Sequence, residues 1–142
     1  MSSRNDRIRV TSTIRSEECP KGQTETTEYG ANRMIKGNKT FVFYDEPEQE
    51  GGDLIAVRVV IEENPGQPPV ATIRRSGTNV EYLLTFVQGE TTQSFYKSML
   101  GKMNVEVITK TCSYRDNCLR LAYRLSLGGS SVGDFEVELT IY

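Results

Sequence analysis

Arg75 lies in the run Ile73-Arg74-Arg75-Ser76-Gly77, two residues beyond an isoleucine with core character. Side chains alternate along a strand, so Arg75 shares the inward face of Ile73 and Arg74 points the other way. An inward guanidinium presents a planar fork of donors that can clamp the carboxylate or phosphate of a bound molecule. A buried arginine without a partner is costly, so the competing reading is a structural arginine that closes one end of the core. Thr109, Thr111 and Tyr123 also fall on otherwise apolar faces, and Tyr96 joins them if its strand faces the same way. Inward hydroxyls can orient a ligand inside an apolar pocket. In a filled core each would instead take a backbone partner.

Other residue groups offer less. The acidic stretch 45–53 carries oxygen ligands, but its late glycines and Pro47 break any calcium-loop spacing, and it reads as a solvated loop. Cys112 and Cys118 flank a five-residue segment; a bond there would close too short a loop to stabilise much, and three cysteines in all suit free thiols. The chain has no histidine. Ser-His and Cys-His nucleophile systems and histidine-ligated metal sites are thereby excluded. No carboxylate pair stands on an apolar face, so the expectation is no catalytic residues, no metal and no cofactor.

The elements that must carry these residues are strands. Residues 7–15 alternate cleanly, with Ile8, Val10, Ser12 and Ile14 on one face. A Thr-rich strand follows over 24–35, with Gly30 as a bulge or bend, then a β-prone run over 40–44. Residues 54–61 are apolar on nearly both faces, and Pro and Gly break the chain over 62–69. Residues 70–75 and 80–88 form a hairpin. The segment 91–100 has pairs four residues apart that a helical turn would also give, but its threonines and flanking glycines favour strand. Three alternating strands close the chain, with turns at 113–117 and 128–131.

Roughly eight to ten strands with short sequential links make an antiparallel meander, and a meander of that length closes to remove its edges. The fold class is therefore all-β, an up-and-down antiparallel barrel, with a two-sheet sandwich as the rival. At 142 residues the chain is one domain spanning 1–142. Seventeen basic and nineteen acidic residues leave a net charge of −2, so no global field draws it to nucleic acid or to an anionic membrane. No apolar run approaches a transmembrane length and the first residues lack a secretory pattern, which places the expected location in the cytoplasm.

The order of several motifs resembles a family. The opening I-R-V-T-S-T-I-R, the Y-G at Tyr29, K-T-F-V-F-Y-D-E, the I-R-R-S-G ending at Gly77, S-F-Y-K-S-M-L-G, and the closing L-R-L-A-Y-R-L-S-L and F-E-V-E-L-T-I-Y are similar to the YwiB family of small bacterial proteins of uncharacterised function. The resemblance covers nearly the whole chain and implies a calycin-like, lipocalin-related barrel; it implies no catalytic residues. The longer 47–53 and 64–69 segments and Cys112 and Cys118 depart from that pattern. The expected function is non-catalytic binding of a small apolar or amphipathic ligand, with Arg75, Tyr96, Thr109 and Tyr123 as candidate contacts. The alternative is a filled structural barrel acting as a protein-interaction or homo-oligomerisation module.

Overall fold

The computed structural model describes residues 2–16, 20–47 and 54–142, with side chains from Asp6 onward. Its strands are β1 (Ser2–Arg15), β2 (Gln23–Lys36), β3 (Lys39–Pro47), β4 (Leu54–Glu62), β5 (Val70–Ser76), β6 (Val80–Val87), β7 (Thr91–Ser98), β8 (Gly101–Arg115), β9 (Cys118–Leu127) and β10 (Ser130–Ile141). Each pairs antiparallel with its sequence neighbour, and β1 pairs with β10 to close the barrel. Closure pairs the two terminal strands that an open meander would leave as edges. The uncertain segment 91–100 is strand, paired with β8 from Thr91↔Ile108 to Ser98↔Gly101.

Short hairpins hold the register. Asp116 and Asn117 both have positive φ (53° and 61°), as do Gly128 and Gly129 (56° and 88°). Two consecutive left-handed residues match the twist of the strands they join. The turn expected over 113–117 is thus only two residues long, and β8 continues to Arg115. Gly30 makes no bulge: it pairs in register with Arg7. The irregularities fall elsewhere, between Thr109 and Thr111 on β8 and between Ser131 and Gly133 on β10. The extra residue on β8 reverses the alternation. Thr111 leaves the inward face that simple alternation gave it, and Cys112 takes its place, 1% exposed.

Half of the interior is filled. Ile8, Val42, Val59, Ile61, Phe86, Val107, Leu119 and Leu121 are fully buried there. Each such side chain contributes about 1.5–3 kcal/mol on leaving water. This end is capped by Arg33, whose Nε lies 3.5 Å from Asp6 Oδ2 and whose Nη1 donates to Asn117 Oδ1 at 3.1 Å. The Asp6 contact is an ion pair without hydrogen-bond alignment. The other half, toward the 77–79 turn and the β9–β10 hairpin, is not filled.

One seam of the barrel is short. β2 pairs with β3 only from Asn32↔Phe43 to Lys36↔Lys39. Beyond it the two strands part, and the rings of Tyr29 and Tyr44, 5.0 Å apart, occupy the gap. A solvent-open groove of about 580 Å³ lies along this seam, lined by Gly30, Ala31, Phe43, Tyr44 and Arg58 among others.

Candidate functional site

The unfilled half of the barrel encloses about 510 Å³. That lies within the usual range for small-molecule sites. Its floor is formed by Leu84 and Tyr123, and it reaches solvent past Ile14 and Val132, which are 43% and 41% exposed. The seam groove carries polar side chains as well, Asp45, Arg58 and Arg74 among them, but it lies open to solvent; the more enclosed and more apolar interior chamber is the better candidate.

Strand alternation places each lining residue. On β5, Arg75 follows Ile73 inward, and the β5–β6 hairpin sets Tyr82 directly opposite it. On β3, Glu46 follows Val42 and Tyr44 onto the same face. Arg75 Nε donates to Glu46 Oε1 at 2.7 Å and Nη2 to Oε2 at 3.4 Å, a fork-to-carboxylate pair. Nη1 donates to the Tyr82 hydroxyl oxygen, and the guanidinium carbon sits 5.5 Å from the centre of the Tyr82 ring. The side chains of Arg75 and Glu46 are 27% and 17% exposed. Arg75 is thus neither a free anion clamp nor a bare plug, but the hub of an internally neutral network.

Burial and neighbouring charge act together on this network. Burial works against the charge on Arg75, but Tyr82, Glu46 and Tyr44 outweigh it and raise its pKa above the ordinary value. Burial raises the Tyr44 phenol, and the Glu46 charge adds to this. Tyr29 is raised for the same two reasons. Burial raises Tyr123 well above the ordinary phenol value, Tyr82 adds to it, and Arg75 opposes. All three phenols therefore stay protonated at neutral pH and can donate.

Three of the four candidate contacts meet in this chamber: Arg75, Tyr96 and Tyr123. Tyr96 does face inward, with its ring 5.8 Å from that of Tyr82. Thr109 does not line the chamber. It is the register partner of Tyr123, one layer down, where the Phe86 and Tyr123 rings meet at 4.7 Å, and it is 2% exposed. Its hydroxyl has no hydrogen-bond partner among the described residues. Reading the sequence missed Glu46, Tyr82, Tyr29 and Phe135. Tyr82 was within reach, because a hairpin centred on 77–79 sets it across from Arg75. Composition puts Glu46 in the acidic loop, but β3 runs on to Pro47 and carries it inside. Residues 48–53 of that loop lie outside the described residues.

The thiols do not form a site. Cys112 and Cys118 are both free. Cys112 points inward, donates to the Pro69 carbonyl at 3.3 Å, and is pushed by burial up to about 11. Cys118 lies on the other face beside Thr140 and Glu138. Among the described residues no three His, Cys, Asp or Glu side chains gather to hold a metal ion, and no helix is long and apolar enough to cross a membrane.

The fold matches the crystal structure of the ywiB protein from Bacillus subtilis with a TM-score of 0.64, over 97% of this chain and 92% of that one. At 19% identity the match speaks for the barrel alone. No curated protein matches the chain. The sequence agrees with the structural match: residues 8–139 fit the family described as a domain of unknown function, DUF1934, and the chain belongs to that family.

Proposed function

We propose that this protein is a non-catalytic, calycin-like barrel that holds a small apolar or amphipathic molecule in its open-ended chamber. One observation carries the reading: a chamber of about 510 Å³ in which an apolar wall faces a few convergent polar groups. A barrel whose role was structural alone would fill that space, as the opposite half does. The chamber walls hold the carboxylate of Glu46 already paired with Arg75, which favours binding over acid–base catalysis.

The exposed apolar side chains support the same reading. Among the described residues, six of the nine large exposed hydrophobics, namely Ile14, Leu54, Met99, Leu100, Met103 and Val132, belong to the strand ends and turns around the chamber. Such an apolar rim suits entry of an apolar molecule. The rim also keeps an interaction module as the second reading.

The test uses N-phenyl-1-naphthylamine, an uncharged probe that fluoresces in apolar surroundings. Saturable binding to the wild type, abolished by Leu125→Trp in a folded variant, is the expected result. Unchanged binding by Leu125→Trp would place the probe on the rim and favour the interaction reading. No binding to either protein would end the ligand-holding proposal. Native mass spectrometry of protein from its own host then reads the natural occupant and the assembly state together.

A further inference from the structure

The chamber is polar on one side and apolar on the other, and the division runs across its width. Glu46, Arg75, Tyr82, Tyr96 and Tyr29, from β2, β3 and β5–β7, make one wall. Ile14, Leu125, Leu127, Phe135 and Val137, from β1, β9 and β10, make the other. A head-to-tail amphiphile asks for polarity at one end of a tunnel. A compact molecule with one polar edge matches the division seen here.

The polar wall also has a definite charge and hydrogen-bond balance. Its arginine and glutamate neutralise each other through the 2.7 Å and 3.4 Å contacts. A carboxylate ligand would meet Glu46, and an ammonium ligand would meet Arg75. Either would compete with the internal pair and place an uncompensated charge in a partly enclosed site. Glu25, an exposed carboxylate on β2, also lines the chamber and can only accept, while the hydroxyls of Ser12, Thr27, Tyr82, Tyr96 and Tyr123 can donate. Tyr82 accepts from Arg75 through its oxygen, which leaves its own proton free to donate. The Tyr123 ring lies between Phe86 and Phe135, and its hydroxyl has no hydrogen-bond partner among the described residues. It lines the same chamber as Tyr82 and Arg75. A phenol hydroxyl that opens on the chamber and has no acceptor of its own in the protein can donate to an incoming one.

We infer that the ligand is an uncharged, compact, largely apolar molecule carrying an oxygen acceptor such as a ring ketone or aryl carbonyl on one edge. The acceptor takes the Tyr123 and Tyr82 hydroxyl protons, and the apolar body rests on β1, β9 and β10. This rests on the ligand-holding reading above.

The experiment compares four probes on one skeleton: naphthalene, 2-acetonaphthone, 2-naphthoate and 2-naphthylmethylammonium. Binding is followed by calorimetry and by shifts of the tyrosine ring signals, for the wild type and Tyr123→Phe. The expected result is that the ketone binds about tenfold or more tighter than either charged probe and tighter than naphthalene. Tyr123→Phe should lose most of the ketone's advantage over naphthalene while leaving naphthalene itself and the melting temperature nearly unchanged. Naphthoate or the ammonium binding as tightly as the ketone would overturn the uncharged-ligand inference and leave the ligand-holding reading standing. A ketone advantage that survives Tyr123→Phe would overturn the assigned donor. Failure of all four probes would overturn both.

Discussion

The Arg75–Glu46 pair can be tested as a structural unit apart from any ligand. Three variants suffice: Glu46→Leu, Arg75→Met and the double. Removing one member of a fully buried ion pair costs about 3–5 kcal/mol, because the survivor keeps its desolvation and loses its counter-charge. Here the two side chains retain 27% and 17% exposure to the chamber, so solvent relieves part of that cost. A figure of about 2 kcal/mol for each single variant follows. In Glu46→Leu the guanidinium is left with the phenol oxygens around it, which solvate it but do not neutralise it. The double variant removes both charges and restores apolar contact, so its cost falls to about 1 kcal/mol. The sum of the singles then exceeds the double by about 3 kcal/mol, at the upper end of measured couplings.

The assay is urea unfolding at neutral pH, backed by thermal melts. An unfolding entropy of about 2.1 cal/mol/K per residue gives about 0.3 kcal/mol/K for this chain. Each single variant should then melt about 7 °C below the wild type, and the double about 3 °C below. A double variant costing the sum of the two singles, about 4 kcal/mol, would refute the coupling argument. Two singles within about 0.5 kcal/mol of wild type would show that the pair is solvated in solution and that the polar wall is not internally neutral.

Two further perturbations read other parts of the barrel. Gly133 has φ +151°, and a Cβ there would stand 2.6 Å from the Arg15 carbonyl oxygen, so Gly133→Ala should cost about 2–4 kcal/mol by urea unfolding; Gly30→Ala, with nothing within 4 Å, should stay within about 0.5 kcal/mol, and equal effects would contradict the packing described. Burial raises the Cys112 thiol from its ordinary 9.0 to about 11. The folded state therefore holds that proton after the unfolded chain has lost it. Its stabilisation is intact below pH 9 and is lost as the pH rises through about 11, amounting to about 2 kcal/mol by pH 10.5. Cys112→Ala should show a shallower loss of stability between pH 8 and 10.5 than the wild type. The buried Tyr44 and Tyr123 lose stability in both proteins, and parallel curves would contradict the burial of the thiol.

The barrel was legible because its signal is repeated. Roughly eight to ten strand-like segments separated by turn residues, several of them cleanly alternating, report the same architecture many times over, and a wrong turn at 113–117 does not disturb it. The site was legible only where it followed the alternation without interruption. Arg75 is two residues from Ile73, and Tyr123 two from Leu121 and Leu125, so parity alone put both inside. Parity fails wherever one residue is added to a strand. The bulge between Thr109 and Thr111 sends Thr111 outward and Cys112 inward, and no local residue preference announces it.

Glu46 shows a second limit, which comes from chemistry rather than counting. Asp45-Glu46-Pro47 reads as loop by composition, because a carboxylate inside a barrel is unfavourable by itself. It becomes acceptable only with a cation aimed at it from another strand, 29 residues away in sequence. The arginine has the same problem and the same solution. Each residue taken singly argues for the surface, and only the pair argues for the interior. The register that brings β3, β4 and β5 together is therefore what turns two unfavourable burials into one neutral wall. A wall made that way has used its strongest groups on each other. Outside that pair the chamber is lined by the hydroxyls of Tyr82, Tyr96 and Tyr123 and by the exposed Glu25.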